Sequence, residues 1–98
     1  MLVQTACEAL RSGHVLELQY DGFSRCVEVH AVGFTKDDHP IMRVWQISGG
    51  RVSNEPIGWK LLRLDEAAGA RVTNQRSFAP RPNYMAGDRV MKTISCHL

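Results

Sequence analysis

Residues 2–12 have the three- and four-residue apolar spacing of a short amphipathic helix. The apolar side chains that share one helical face are Leu2, Val3, Ala6, Ala9 and Leu10. Gly13 follows, and glycine commonly ends a helix because it adopts a left-handed backbone conformation without strain. We predict a helix that is too short to be stable alone and therefore packs against the rest of the chain.

From His14 onward the apolar period changes to two, which is typical of half-buried β-strands. In the second such segment, Val27, Val29 and Ala31 alternate with Glu28 and His30. Polar or glycine-containing turns separate the segments at 21–22, 36–40 and 48–50, and 51–56 is a polar connection. We predict five strands, over residues 15–20, 25–33, 41–48, 57–65 and 71–78.

The last quarter of the chain has a different pattern. Residues 79–84 contain two prolines and should be extended. Residues 85–98 fit either a final strand or a helix. One helix followed by five short strands predicts a mainly β protein, folded as a small barrel or a strongly bent sheet. We divide the chain into a helix-plus-barrel domain, 1–78, and a Pro-containing basic extension, 79–98, that packs on or near the barrel.

The composition is that of one folded domain, with 98 residues, 44% hydrophobic and 22% charged, and a net charge of +2. No apolar run approaches the roughly 20 residues of a membrane span, and no secretory signal is visible, so we expect a cytoplasmic protein. The three cysteines, Cys7, Cys26 and Cys96, have no CxxC spacing, and we expect reduced, partly buried thiols. The excess of positive charge lies in residues 71–98, where five basic residues accompany one acid, Asp88.

The sequence contains none of the common catalytic or phosphate-binding motifs, such as GxSxG, GxxxxGK[ST], GxGxxG or HExxH. Cys26 and His30 are the nearest approach to a metal-binding pair. They lie about 13 Å apart on a strand at roughly 3.3 Å per residue, too far for one ion. We therefore predict no enzymatic activity, no metal and no cofactor.

Cationic side chains recur on otherwise apolar strands: Arg25, Arg43, Lys60 and Arg63. A buried cation is costly unless it is paired or faces a wet groove. Alternatively, these four side chains lie on the outer face of the sheet, where their aliphatic stems cover apolar surface. Lys60 and Arg63 have opposite strand parity, so only one of them can face a given pocket.

Three segments resemble the WYL domain family. Residues 9–20 contain the end of a helix followed by a strand that ends at Tyr20, and residues 25–30 form a strand that begins with Arg25. Residues 58–65 contain basic residues followed by a Leu-Asp pair. The chain departs from the family pattern in lacking the Trp-Tyr-Leu tripeptide, with 41–45 in its place. The resemblance implies an Sm-like or SH3-type barrel that senses a ligand, commonly negatively charged and in some members nucleic acid. Such domains usually belong to bacterial transcription regulators. The matching positions are Tyr20, Arg25, Lys60 and Arg63.

Together these features predict a regulatory, non-enzymatic module that binds a negatively charged ligand: a nucleotide, an oligonucleotide or single-stranded nucleic acid. The predicted ligand-binding residues are Tyr20, Arg25, Arg43, Lys60 and Arg63. We expect Arg25, Arg43 and one of Lys60 and Arg63 to meet beside Tyr20. The alternative is a protein–protein interaction or homo-oligomerising module without a small ligand, acting through strand edges or the tail.

Overall fold

The N-terminal helix forms where the apolar pattern predicts it. A computed structural model describes residues 2–49 and 57–98, and in it α1 spans Leu2–Ser12. Gly13 ends the helix with a φ of 73°, and its N–H donates to the carbonyl oxygen of Ala9 at 3.0 Å. The face that carries Ala6 and Leu10 is buried, so the helix packs against the sheet as expected.

Six antiparallel strands form one sheet in the order β4-β3-β2-β1-β5, and β6 pairs with β2. The strands are β1 (His14–Tyr20), β2 (Phe23–Phe34), β3 (Pro40–Gly49), β4 (Gly58–Arg63), β5 (Gly69–Arg76) and β6 (Thr93–His97), with a 3-10 turn at Leu64–Glu66. β2 is long enough for β1 and β6 to pair with successive parts of the same edge.

The predicted mainly β fold with a short N-terminal helix is confirmed, and all five predicted strands are present. Two features need correction. First, a sixth strand, β6, forms within residues 85–98, for which the sequence left a strand and a helix as alternatives. Second, the sheet of the described residues is not closed into a barrel, since β4 and β5 lie at its two ends. The polar connection predicted over 51–56 lies outside the described residues.

The main hydrophobic core lies between α1 and one face of the sheet, which we call the inner face. Its larger buried side chains include Leu16, Leu18, Val27, Val29, Val32, Met42, Val44 and Leu62. The predicted alternation is wrong at Ala31. An irregularity in the pairing of β2 with β3 between Val29 and Ala31 changes the side-chain parity, so Val32 enters the core instead. Ala31 packs with Ile41 and Met91 in a second cluster on the opposite, outer face.

The C-terminal segment covers this outer face and returns to the sheet as β6. The close approach requires Gly33, because a Cβ atom there would overlap the backbone of Thr93. Cys96 of β6 forms a disulfide with Cys7 of α1. The prediction of reduced thiols is therefore wrong for these two residues, while Cys26 is a free, half-buried cysteine. The error arises because the partners are 89 residues apart in sequence.

No α-helix of residues 2–49 and 57–98 combines the length and the apolar character that a membrane crossing requires.

Candidate functional site

The outer face of β2 carries a buried carboxylate that anchors the C-terminal segment. Glu28 has no exposed surface. Its Oε1 accepts a hydrogen bond from Nε of Arg81 at 2.6 Å, and its Oε2 accepts from Nη2 of Arg81 at 3.2 Å. The backbone N–H of Phe78 donates to Oε2 at 2.8 Å. This charge-assisted, bidentate pairing fixes the start of the C-terminal segment against the sheet.

The neighbouring His30 is also fully buried and makes two backbone contacts. Its Nδ1 lies 2.9 Å from the carbonyl oxygen of Glu28, and its Nε2 lies 2.9 Å from the backbone nitrogen of Arg81. A carbonyl only accepts and a backbone N–H only donates, so Nδ1 carries the proton and the imidazole is neutral. Burial lowers the pKa of His30 below its ordinary value of 6.5, and the Arg81 guanidinium contributes in the same direction.

The buried His30 predicts a loss of stability in mild acid. The unfolded state takes up the proton first, since its histidine has the higher pKa, so stability falls as the pH drops below about 6.5. At higher pH this contribution is complete. We expect the slope to be at most about 1.4 kcal/mol per pH unit for one proton. Urea unfolding at about pH 7.5 and about pH 5 measures it.

The matched variants for this prediction are His30→Gln, which cannot titrate, and His97→Gln, which removes an exposed histidine. The pH dependence below 6.5 should be smaller in His30→Gln than in the parent protein and nearly unchanged in His97→Gln. An unchanged slope in His30→Gln would show that His30 does not govern it.

Aromatic rings surround His30 on the outer face. The His30 ring centroid lies 4.7 Å from that of Trp59 and 5.2 Å from that of Tyr84. The rings of Trp59 and Tyr84 are inclined by only 27° with centroids 6.3 Å apart. Trp45 packs edge-to-face against Trp59. These contacts make a rigid aromatic layer between the sheet and the C-terminal segment.

A cavity of about 730 Å³ opens beside this aromatic layer. Residues 83–89, which we call the tail wall, form one side, and Arg43 and Trp59 of the sheet form the other. We call this space the tail cavity. Arg43 closes it at one point, since its Nε donates to Oδ2 of Asp88 at 2.7 Å and its Nη2 donates to Oδ1 at 3.4 Å. The Arg43 guanidinium holds the pKa of Asp88 below its ordinary range.

The lining of the tail cavity contains two guanidinium groups and one carboxylate. The carboxylate of Asp88 is already paired with Arg43, whereas Arg89 is exposed and forms no ion pair with the residues that the structure describes. The remaining lining is aromatic or apolar apart from Asn83, and it includes Trp59, Tyr84 and Met85. The cavity therefore combines an apolar surface with a net positive charge.

Two of the predicted ligand-binding residues, Tyr20 and Arg25, lie away from this cavity. The Arg25 guanidinium lies 5.1 Å from the Tyr20 ring centroid and donates to Oε1 of Gln46 at 3.3 Å. Arg25 is buried, and its Nε and the Gln46 Nε2 are buried donors that find no acceptor among residues 2–49 and 57–98. The Tyr20 hydroxyl donates to Glu66 and accepts from the backbone N–H of Arg63. These contacts join the end of β1 to the end of β4.

Lys60 and Arg63 occupy opposite faces of β4, as their parity predicts. Lys60 pairs in register with Val44 of the core and so belongs to the inner face, whereas Arg63 pairs with Ile41 on the outer face. Arg63 donates to both carboxylate oxygens of Asp65, at 3.0 and 2.6 Å. Neither residue lines the tail cavity.

The structure therefore does not bring the predicted cations together beside Tyr20. Of the five residues, Arg43 lines the tail cavity, and it was selected because a cation on an apolar strand needs a partner or a groove. Sequence reasoning missed Trp59, Tyr84 and Arg89 as lining residues. Tyr84 and Arg89 had a weak sequence signal, because an aromatic residue and charges follow two prolines in the tail, whereas Trp59 had the pattern of an ordinary strand residue.

Among the described residues, no group of three or more His, Cys, Asp or Glu side chains is placed to hold a metal ion. Comparisons with protein families, with curated proteins and with solved structures found no match for this chain. The WYL resemblance therefore remains a prediction.

Proposed function

We propose that this protein is a non-enzymatic binding module for a negatively charged ligand and that the tail cavity is its binding site. The observation that carries the proposal is the charge of the lining. The lining includes two arginines, Arg43 and Arg89, and one acidic residue, Asp88, whose carboxylate is already paired with Arg43. Arg89 forms no ion pair within residues 2–49 and 57–98, so an anion that enters the cavity can pair with it, and the one carboxylate of the lining is already held by Arg43.

The size and rigidity of the tail cavity support this function. Pockets for small ligands typically measure about 300–1,000 Å³, are largely apolar and carry a few fixed polar groups. Arg81 anchors the chain just before the tail wall to the buried Glu28, and the Arg43–Asp88 pair fixes the wall itself. A wall held in this way loses little conformational entropy when a ligand binds.

A regulatory role fits a ligand site that is built partly from a C-terminal segment. Nucleotides and short single-stranded nucleic acids are the first anions to test, because the WYL resemblance implies them. The Cys7–Cys96 disulfide favours an oxidising compartment over the expected cytoplasmic location, because disulfides are rare in the reducing cytosol.

Calorimetric titration with adenosine monophosphate and with a short oligothymidylate tests the proposal. We expect binding at low salt, and a steep decline of the oligothymidylate affinity as salt rises. Arg89→Ala should weaken binding of the monophosphate about three- to fivefold, as expected for an exposed ionic contact worth roughly 1 kcal/mol. Arg76→Ala, which removes an exposed arginine at the end of β5, is the charge-matched control and should leave the affinity nearly unchanged. Absence of binding at low salt, or equal losses in the two variants, would refute the assignment of the tail cavity.

A further inference from the structure

The lining of the tail cavity also restricts the ligand by shape. Trp59 and Tyr84 both line it, and their rings are nearly parallel, with 27° between the planes. His30 contacts both rings. Trp59 and Tyr84, held by these contacts, give the cavity a wall that contains two aromatic side chains. Planar aromatic rings pack against aromatic side chains better than aliphatic groups of equal size do.

A positive charge lies along the same lining. Arg89 and Arg43 belong to the cavity that Trp59 and Tyr84 line. A ligand that satisfies both parts of the lining has a planar ring system for the aromatic surface and an acidic group for a guanidinium. Charge-assisted contacts to arginine suit carboxylate and phosphate equally well, because both present oxygen pairs to the planar donor group.

The volume favours a single small molecule over a polymer. A cavity of about 730 Å³ lies in the range for ligands of drug-like size. Nucleic-acid sites that act by stacking instead use grooves that follow several successive nucleotides.

We infer that the tail cavity selects a monomeric aromatic acid, with Trp59 and Tyr84 as the residues that determine specificity for the ring. This inference rests on the proposed function, since it names the ligand class of the same cavity. Aliphatic acids of equal charge and similar size should bind more weakly, because they retain the ionic contact and lose the stacking.

A matched pair of acids tests the inference: 2-naphthoate and its saturated counterpart decahydro-2-naphthoate, titrated by calorimetry into the unaltered protein. We expect the aromatic acid to bind about three- to tenfold more tightly, which is the usual extent of an aromatic pair beyond its area burial. 2-Naphthyl phosphate, which carries its acidic group at the same ring position as 2-naphthoate, distinguishes a phosphate from a carboxylate as the preferred acidic group.

Two variants of Tyr84 locate the effect. Tyr84→Leu should remove most of the difference between the two acids, while Tyr84→Phe, which keeps the ring and loses the hydroxyl contact to the His30 carbonyl, should retain it. Equal binding of both acids to the unaltered protein would overturn the aromatic inference and leave the proposed anion site intact. Failure of both acids, naphthyl phosphate and adenosine monophosphate to bind would refute both proposals. The comparison of the two acids decides the question even if Tyr84→Leu does not fold.

Discussion

Replacing Arg81 with alanine will lower the free energy of unfolding by about 3 kcal/mol, the lower end of the usual cost of removing one partner from a buried ion pair, because the Arg81 side chain is 29% exposed whereas Glu28 is fully buried. Glu28 is fully buried, and Arg81 supplies both side-chain donors to its carboxylate. Without Arg81, the carboxylate stays in a low-dielectric environment with the backbone N–H of Phe78 as its remaining described donor. A loss of this size is a large part of the roughly 5–15 kcal/mol that stabilises a typical domain.

Urea unfolding followed by circular dichroism measures the effect. Arg76→Ala is the matched control, because Arg76 is an exposed arginine at the end of an edge strand and its loss should change stability by no more than about 0.5 kcal/mol. Adding Glu28→Gln to Arg81→Ala should recover part of the lost stability, since the neutral amide removes the uncompensated charge. Equal stabilities of the two arginine variants would show that the ion pair does not anchor the tail.

Loss of the Cys7–Cys96 disulfide will have an effect of similar size. The two cysteines are 89 residues apart, so the bond closes a loop that includes nearly the whole chain. Chain-entropy estimates for a loop of this length give about 4–5 kcal/mol, and measured values for native disulfides are commonly about 2–5 kcal/mol. We therefore expect Cys96→Ser to unfold at a much lower denaturant concentration than the parent protein.

The control for this prediction is Cys26→Ser, which removes the free thiol and leaves the disulfide in place. Under reducing conditions the parent protein should approach the stability of Cys96→Ser, while without reductant Cys26→Ser should remain close to the parent. Thiol counting by mass spectrometry on the unreduced protein gives a direct check. Three free thiols in folded protein would contradict the disulfide.

The local elements of this fold were predictable because their signals are local. The apolar spacing of 2–12 and the glycine after it define a helix wherever the chain places it. The two-residue alternation in 15–20 likewise defines β1. Arg43 could be chosen as a site residue on the same basis, since a cation within an apolar strand needs a partner or a groove whatever its neighbours are.

Other features depended on which segments meet. The alternation of Glu28 and His30 with valines has the pattern of a strand with one exposed polar face, yet both residues are fully buried because the C-terminal segment covers them. The parity change at Ala31 follows from the pairing of β2 with β3, which a strand considered alone does not reveal.

The amino-acid sequence by itself determined the helix, five of the strands, the turns that begin at residues 21 and 36, and the presence of cations on apolar strands. The turn predicted at 48–50 is wrong at residues 48 and 49, which belong to β3, and its last residue lies outside the described part of the chain. Only the tertiary structure decided the sixth strand, the Cys7–Cys96 bond and the placement of Arg43, alone among the predicted site residues, at the tail cavity. The physical reason is that periodicity and turn chemistry act between residues close in sequence, whereas ion pairs, disulfides and cavities form between residues that the fold brings together. Arg43 and Asp88 are 45 residues apart, and the local sequence around either residue does not show that the other will be its partner.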